Sequence, residues 1–237
     1  MTRLNDHDQP VGEPVQGWTP RQPTRSVTLM GRTVRLEPMT MAHADDLHRA
    51  LVEDSGPQLW TYLSSGPFEG RQDFDAYLRS VVDNPGMGAM AVVVDGTALG
   101  HECLIRNDPE HGCVEVGNIA LGEALQRTTA ATEAAWLLMR HVFDELGYRR
   151  YEWKCDSLNE RSRRAALRLG FSYEGRFRNA VVYKGRNRDT DWFSVIDTEW
   201  PRLRASYEAW LAPANFDEQG RQRRPLQARA TGVGSTP

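Results

Sequence analysis

The sequence has few cysteines, and their spacing does not suggest a disulfide framework. The three residues, Cys103, Cys113 and Cys155, are an odd number and form no CxxC pair. Such usage argues against a structural zinc site and is typical of a protein in a reducing compartment. The six histidines also lack the spacing of metal ligands, so we expect no metal cofactor.

Long apolar runs are absent as well. A membrane span needs about 20 consecutive apolar residues, and no stretch of the sequence approaches that length. The start, MTRLNDHDQP, is polar where a secretory signal would be apolar. Neither GxGxxG nor GxxxxGKS/T occurs, so no motif supports a dinucleotide-binding or P-loop site. We therefore expect a cytoplasmic protein without a membrane partner.

Charge is nearly balanced over the whole chain but unevenly placed. The 29 Lys and Arg residues against 32 Asp and Glu residues give a net charge of −3. Between residues 149 and 188, however, 12 basic residues stand against four acidic ones, a local charge of +8. This segment favours an anionic partner, either a phosphate-bearing ligand or RNA. Solvated or paired arginines would give the same count.

Composition also suggests how the chain is divided. With 40% hydrophobic and 26% charged residues, it has the profile of a globular protein with one sizeable core. Pro, Gly and polar residues dominate both ends, which predicts a flexible N-terminal arm over 1–26 and a flexible C-terminal tail over 213–237. A single domain is predicted over 27–212.

Hydrophobic periodicity and turn residues predict an α+β fold. A strand, a helix and a second strand follow one another in the middle of the chain, which implies a parallel pair within a mixed, mostly antiparallel sheet. The predicted strands are 33–38, 90–94, 99–105, 113–119, 150–155, 171–177, 181–183 and 192–196, with a turn at 185–189. The predicted helices follow Thr40, carry Phe74 to Val82, and span 128–146, 160–169 and 200–211.

The segment at 125–134 joins a strand to the long helix and is built of small residues. Exposed backbone N–H groups and the positive end of the helix dipole would make an anion site there. Thr128 or Thr129 could equally be an ordinary helix cap.

Several motifs in a fixed order resemble the GNAT superfamily of acyl-CoA-dependent N-acyltransferases, most of all the branch of ribosomal-protein alanine and serine N-acetyltransferases. They are the run at 126–134, FDELG at 143–147, Arg150, NERS at 159–162, LGF at 169–171 and EG at 174–175. The resemblance covers roughly residues 34–196. It implies a GNAT-like, mixed, mostly antiparallel twisted sheet with a central βαβ acyl-CoA-binding unit.

The resemblance also implies a cofactor loop, with acetyl-CoA as acyl donor. In the family the acyl-CoA pyrophosphate lies on a Q/R-x-x-G-x-G/A loop, which matches residues 126–131. The sequence departs from it at Thr129, where the family usually has Gly, and at Arg127, where the closer branch usually has Gly. A threonine crowds the close approach that glycine permits, whereas Arg127 could add a contact to phosphate. The implied cofactor-binding residues are Ile119, Ala120, Gln126, Arg127, Thr128, Thr129, Ala130, Ala131, Thr132, Asn159, Ser162 and Arg164.

Acyl transfer to an amine needs a base, because the amine is mostly protonated at neutral pH. Glu115 is the first candidate, since regular alternation places it on the same face as Gly117, which supports a local bulge. Glu102 and Asp156 are the alternatives. The resemblance implies that a backbone N–H near Ile119 or Ala120 faces the thioester oxygen, where it would stabilise the oxyanion.

For the acid that protonates the departing thiolate, the resemblance implies Ser162, and Tyr173 and Tyr183 stay open. The resemblance also implies that the last hairpin borders the acceptor site, where Asp189 and Asp191, with Tyr183, would suit a cationic amine.

These features predict direct transfer of an acetyl group from acetyl-CoA to a primary amine, a protein N-terminus or a small molecule, in a ternary complex. A succinyl-CoA donor, a non-catalytic acyl-CoA-binding domain and an RNA-binding module are the alternatives. We expect an amine acceptor as partner, nucleic acid only indirectly through the ribosome, and leave a homodimer open.

Overall fold

A computed structural model describes residues 3–228 and contains ten strands within that range. Eight of them form one sheet in the order β3-β4-β5-β6-β7-β8-β10-β9, and the two short N-terminal strands pair with each other. The strands are β1 (Arg3–Leu4), β2 (Pro10–Val11), β3 (Leu29–Met30), β4 (Arg35–Pro38), β5 (Gly88–Val94), β6 (Thr97–Asp108), β7 (Cys113–Leu121), β8 (Arg150–Asp156), β9 (Ser172–Tyr183) and β10 (Arg186–Ile196).

Five α-helices connect these strands in the described residues. Two of them continue into a π-helical turn, at Arg49–Glu53 and at His141–Glu145. Short 3-10 turns lie at Met41–His43, Pro57–Trp60 and Pro213–Asn215. The α-helices are α1 (Ala44–His48), α2 (Arg71–Val82), α3 (Thr129–Arg140), α4 (Glu160–Arg168) and α5 (Trp200–Leu211).

The helices cover the sheet from two sides. On one side, here called the α3 face, α3, α4 and α5 pack on the sheet, and Leu138 and Tyr207 share a core with Tyr151. On the opposite side, the α2 face, α1 and α2 cover β4 to β6, where Phe74 shares a second core with Ala91. Apolar residues at helical spacing account for both contacts.

The single parallel pair of the sheet opens along its length. Strands β7 and β8 pair only over residues 113–116 and 150–153, and both continue beyond that point. A register shift between His101 and Cys103 places a bulge in β7, at Asn118 with φ of 46°. A bulge bends the strand and interrupts pairing, so a cleft begins after Val116.

The fold confirms the predicted α+β class, including the hairpin around Asp95-Gly96 and the central βαβ unit. One strand prediction and one turn prediction were wrong. The strands predicted at 171–177 and 181–183 are one strand, β9. A bulge with Asn179 at φ of 51° lies between them, and β9 pairs with β10 on both sides of it. The turn predicted at 185–189 lies mostly in β10, because Lys184 and Gly185, both with positive φ, already reverse the chain.

Each of the two terminal segments contacts the domain through some of its described residues. In the N-terminal segment, the Trp18 indole donates to the Glu110 carbonyl (3.0 Å) and Arg21 donates to the Gly147 carbonyl (2.9 Å). In the C-terminal segment, Ala228 is buried. The boundaries at 26 and 212 stay predictions, and residues 1–2 and 229–237 of the predicted arm and tail lie outside the described residues.

Candidate active site

Two helices begin at the open end of the β7–β8 cleft. Thr128 caps α3, its Oγ1 accepting from the Ala131 N–H (3.1 Å), and Asn159 caps α4, its Oδ1 accepting from the Ser162 N–H (3.1 Å). Both helices follow the carboxyl ends of the parallel strands, so their first-turn N–H groups meet at one edge of the sheet. Together with the two helix dipoles, these groups favour the binding of an anion.

The loop before α3 keeps a glycine-like conformation. Arg127 has a φ of 64°, in the left-handed region that costs a non-glycine residue roughly 1 kcal/mol. The loop is held by Gln126, whose Nε2 donates to the Leu121 carbonyl (2.8 Å), and by the Thr128 hydroxyl, which donates to the Leu125 carbonyl (2.6 Å). Arg127 therefore adopts the backbone conformation usual for glycine at the position where the closer branch has Gly.

Arginines of α4 add positive charge beside this loop. Arg168 donates to the Thr132 hydroxyl in the first turn of α3 (3.1 Å). Arg164 is exposed and ion-paired with Glu160 (2.9 Å). The donor set of N–H groups, hydroxyls and guanidinium groups therefore suits the pyrophosphate of an acyl-CoA.

Ser162 lies on the α3 face at the start of the cleft. Its Oγ accepts from the Trp153 indole N–H (2.9 Å), and Trp153 pairs with Val116 at the last paired position of β7 and β8. Because that lone pair is occupied by Trp153, the Ser162 hydroxyl proton can be directed towards another group. Beside it, burial raises the pKa of the Cys155 thiol to about 11.

Glu115 lies on the α2 face at the same point of the cleft. Its carboxylate is buried, and Oε2 is ion-paired with Lys154 (2.8 Å) and Arg106 (3.4 Å). The other oxygen, Oε1, lies 3.2 Å from where a Cβ on Gly117 would be. Burial raises the pKa of Glu115, and the ion pair with Lys154 partly opposes that rise.

Lys154 is a residue that the sequence reasoning missed. Its side chain is only 7% exposed and lies between Glu115 and Glu152, the latter at 2.9 Å. Its Nζ also lies 3.5 Å from the Trp192 ring centroid, a cation–π contact. A lysine in the middle of a strand, in a chain with only one other lysine, was the available signal.

The two alternative carboxylates lie elsewhere. Glu102 is on the α3 face, in register with Met90, and burial alone raises its pKa to about 7. Asp156 is on the α2 face, and its Oδ2 accepts from the Tyr183 hydroxyl (2.7 Å). Burial and this hydrogen bond raise the pKa of Tyr183 to about 12.

The three residues predicted to border the acceptor, Asp189, Asp191 and Tyr183, do not lie together. Asp191 is fully buried and ion-paired with Arg163 of α4 (2.9 Å) and Arg176 (2.7 Å), which places it on the α3 face. Asp189 accepts from the Asn179 backbone N–H (2.8 Å). Tyr183 alone of the three lies on the α2 face beside Asp156, while Tyr173 packs against Phe193 on the α3 face.

The β9–β10 hairpin reaches across the α2 face. Lys184 Nζ donates to the carbonyls of Trp60 (2.6 Å) and Ser65 (2.9 Å) in the loop between α1 and α2. Arg186 donates to the Thr61 carbonyl of the same loop (2.9 Å). The hairpin and the loop therefore border the part of the sheet that carries Glu115.

Beside this border, the α2 face also contains a buried polar group. The His101 Nε2 lies 3.0 Å from the Tyr77 hydroxyl, which donates to the Asn118 side chain (3.3 Å) at the bulge. Burial lowers the pKa of His101 to about 4, so the ring is neutral at physiological pH.

Over residues 3–228, none of the helices has the length and apolar character to cross a membrane. In the same range, no three His, Cys, Asp or Glu side chains are grouped so that they could hold a metal ion.

Comparison with known proteins places the chain in a family. A family model described as an acetyltransferase (GNAT) domain matches residues 33–172. The chain is 27% identical over 149 residues to "Putative ribosomal N-acetyltransferase YdaF" of Bacillus subtilis (strain 168), covering 60% of this chain and 78% of that protein.

Solved structures agree. A GCN5-related N-acetyltransferase from Brucella melitensis is 46% identical, with a TM-score of 0.87 and coverage of 90% of this chain and 98% of that chain. A probable acetyltransferase of the GNAT family from Chromobacterium violaceum ATCC 12472 is 37% identical, with a TM-score of 0.76, covering 81% of this chain and 98% of that chain. This chain therefore belongs to the GNAT acetyltransferases and is an acyl-CoA-dependent N-acyltransferase.

Proposed function

We propose that the protein transfers an acetyl group from acetyl-CoA to a primary amine, directly and within one ternary complex. The observation that carries this proposal is the two-sided cleft between β7 and β8. Ser162 and the two helix N-termini lie on its α3 face, whereas Glu115 lies on its α2 face. A cofactor and an acceptor can therefore approach the same point from opposite sides.

The first-turn N–H groups of α3, the Thr132 hydroxyl and Arg168 would hold the pyrophosphate. The bound thioester supplies an activated acyl group. Past Val116, the β7 edge that faces β8 is unpaired, so a backbone N–H near Ile119 or Ala120 is available to donate to the oxyanion that forms when nitrogen adds to the carbonyl.

Glu115 is the base in this proposal. Its Oε2 is held by two cations, while Oε1 accepts no hydrogen bond from the described residues and lies over Gly117. Oε1 would take the proton from the ammonium, the amine nitrogen would form the new bond to the acyl carbon, and the C–S bond would break. Ser162 would donate its proton to the departing thiolate, and the second proton that the nitrogen loses as the amide forms would return to Ser162 through solvent.

The thiols support transfer without a covalent enzyme intermediate. Burial raises the pKa of all three cysteines, to about 12 at Cys103 and about 11 at Cys155, with Cys113 raised as well. A nucleophilic cysteine needs a lowered pKa, so none of these thiols is activated to carry an acyl group.

The acceptor is proposed at the level of a primary amine. The B. subtilis relative carries a ribosomal N-acetyltransferase name at 27% identity, which supports testing a protein N-terminus beside small-molecule amines. Two buried carboxylates at separate positions on the α2 face, Glu115 and Asp156, would suit a cationic amine of either kind.

Acceptor-dependent release of CoA thiol tests the proposal. The protein is mixed with acetyl-CoA and a panel of peptides with free N-termini and small amines, and free thiol and acetylated product are measured. Glu115→Gln should lose turnover and keep its affinity for acetyl-CoA, whereas the exposed control Glu110→Gln should resemble the wild type. Tight binding of acetyl-CoA without thiol release by any acceptor would favour a binding domain, and faster turnover with succinyl-CoA would change the donor.

A further inference from the structure

The bulge of β7 is held by side chains that take no part in the chemistry proposed above. His101 of β6 pairs with Ala120 of β7, and Cys103 pairs with Gly117. Between these two pairs, β7 has one residue more than β6. Asn118 lies in this extra length with a φ of 46°, in the left-handed region that asparagine tolerates better than most residues. Because a bulge bends its strand, the conformation of Asn118 sets the course of the cleft edge.

Both ends of the Asn118 side-chain amide are bound. Its Oδ1 accepts from the Tyr77 hydroxyl (3.3 Å), and its Nδ2 donates to the Cys103 sulfur (3.8 Å). Tyr77 belongs to α2 and Cys103 to β6, so the side chain is anchored to a helix and to the neighbouring strand at once. A side chain held in this way favours one backbone conformation at the bulge.

Tyr77 is itself fixed by packing. Its ring lies against Trp60, with 5.5 Å between the ring centroids, and against Phe68, with 5.1 Å. The residue is only 8% exposed and belongs to the core of the α2 face. The hydroxyl that holds Asn118 therefore has a well-defined position.

His101 completes the network from β6. A phenol has one proton, and Tyr77 gives it to Asn118, so the Tyr77 hydroxyl accepts from His101 Nε2, 3.0 Å away. His101 is fully buried, and burial lowers its pKa to about 4, while the Asn118 backbone partly opposes this shift. The ring is therefore a neutral donor beside the bulge, and the hydrogen bonds run from His101 through Tyr77 to Asn118.

We infer that Tyr77 and His101 are positioning residues for acyl transfer, which hold the Asn118 bulge so that the β7 backbone N–H beyond it is aimed at the thioester oxygen. This inference rests on the proposed function, in which an N–H near Ile119 or Ala120 stabilises the oxyanion. Neither side chain touches a reacting atom in this account, since each acts through Asn118. The negative charge on the oxygen develops only in the transition state, so a displaced donor lowers kcat more than it weakens substrate binding.

Steady-state kinetics of Tyr77→Phe test this inference, after thermal unfolding has shown that the variant folds. The substitution keeps the ring and removes the hydroxyl, so Asn118 Oδ1 and His101 Nε2 both lose their partner. We expect kcat to fall about tenfold or more, with the KM for the amine and the calorimetric Kd of acetyl-CoA within about twofold of the wild type. The matched control is Tyr207→Phe, which removes a buried hydroxyl that donates to the Leu169 carbonyl (2.9 Å) on the α3 face. Its kcat should equal that of the wild type.

Two substitutions of His101 separate positioning from proton transfer. His101→Leu should lose kcat as Tyr77→Phe does, because it leaves the Tyr77 hydroxyl without a donor. His101→Gln should keep most of the kcat, since a glutamine amide can donate to the same hydroxyl but does not titrate. Equal loss of kcat in both His101 variants would overturn the positioning role.

The pH–rate profile of Tyr77→Phe gives a readout that a general loss of structure would not. Glu115 stays in place as the base, so the acid limb should remain at the wild-type pH while kcat is lower at every pH. A displaced acid limb would show that the substitution acts on the base, and it would overturn the inference.

The outcomes separate the inference from the proposed function. If the wild type transfers acetyl groups and Tyr77→Phe keeps the wild-type kcat, the inference is wrong and the proposed function stands. If the wild type releases no CoA thiol with any amine, the proposed function is overturned and the inference falls with it.

Discussion

Replacing Glu102 with Gln should remove a pH dependence of stability that burial creates. The side chain is 4% exposed, and burial raises its pKa from the ordinary 4.5 to about 7. A rise of this size corresponds to about 3 kcal/mol. Because the folded state holds the proton more tightly than the unfolded chain, the free energy of unfolding falls by this amount as pH rises from about 4.5 to about 7, and it stays reduced above that.

His101, its neighbour on the opposite face, has the reverse effect. Burial lowers its pKa from 6.5 to about 4, so the folded state holds that proton less tightly than the unfolded chain. The free energy of unfolding therefore rises by about 3 kcal/mol as pH increases from about 4 to about 6.5. In the wild type the two contributions nearly cancel over this window, and in Glu102→Gln the contribution of His101 is left alone.

Denaturant unfolding of the wild type and of Glu102→Gln across pH 4.5 to 8 measures this directly. The free energy of unfolding of the variant should gain about 3 kcal/mol on that of the wild type between about pH 4.5 and about pH 7. The exposed control Glu110→Gln should show no such trend. A difference between Glu102→Gln and the wild type that stays constant over the whole range would refute the reasoning.

Three further substitutions test the site. In Gly117→Ala the new Cβ would lie 2.5 Å from Ile105 Cδ1 and 3.2 Å from Glu115 Oε1. The value of kcat should therefore fall at least about tenfold, while calorimetry shows unchanged acetyl-CoA affinity. An unchanged kcat would contradict the placement of the base. Lys154→Met removes the cation that lowers the pKa of Glu115, so the acid limb of the pH–rate profile should move to higher pH. A shift of that limb to lower pH would refute this role of Lys154. Lys184→Met removes both contacts of the Lys184 side chain to the loop between α1 and α2. Steady-state kinetics should therefore show a raised KM for the amine, with an unchanged Kd for acetyl-CoA. Weaker binding of acetyl-CoA instead would place the hairpin on the cofactor side.

Much of the fold follows from short-range signals in the sequence. Asp95-Gly96 between two apolar alternations specifies a hairpin, and the polar caps Thr128 and Asn159 specify where α3 and α4 begin. These signals act through neighbouring residues, so they can be recognised without knowledge of the tertiary structure. The β9 bulge at Asn179 was missed because it resembles a chain break locally and is a strand only through its pairing with β10.

The candidate site was predictable only in part, because it depends on which faces the side chains occupy. Glu102 and Glu115 were both reasonable bases, and only the register of β6 with β7 places them on opposite faces. Lys154 reaches Glu115 through the parallel pairing of β7 with β8. Asp191 was expected beside the acceptor, yet it lies on the α3 face, where it forms an ion pair with Arg163 of α4. Such relations between distant segments leave no local pattern in the sequence.

The pH–rate profile of Glu115→Gln beside that of the wild type tests the central claim most directly, namely that acyl transfer occurs in the β7–β8 cleft with Glu115 as base. With saturating acetyl-CoA and an active amine, we expect the variant to lose about 100-fold or more of its kcat near neutral pH and to lose the acid limb, while calorimetry shows unchanged acetyl-CoA affinity. Wild-type turnover by the variant over the whole pH range would contradict the account.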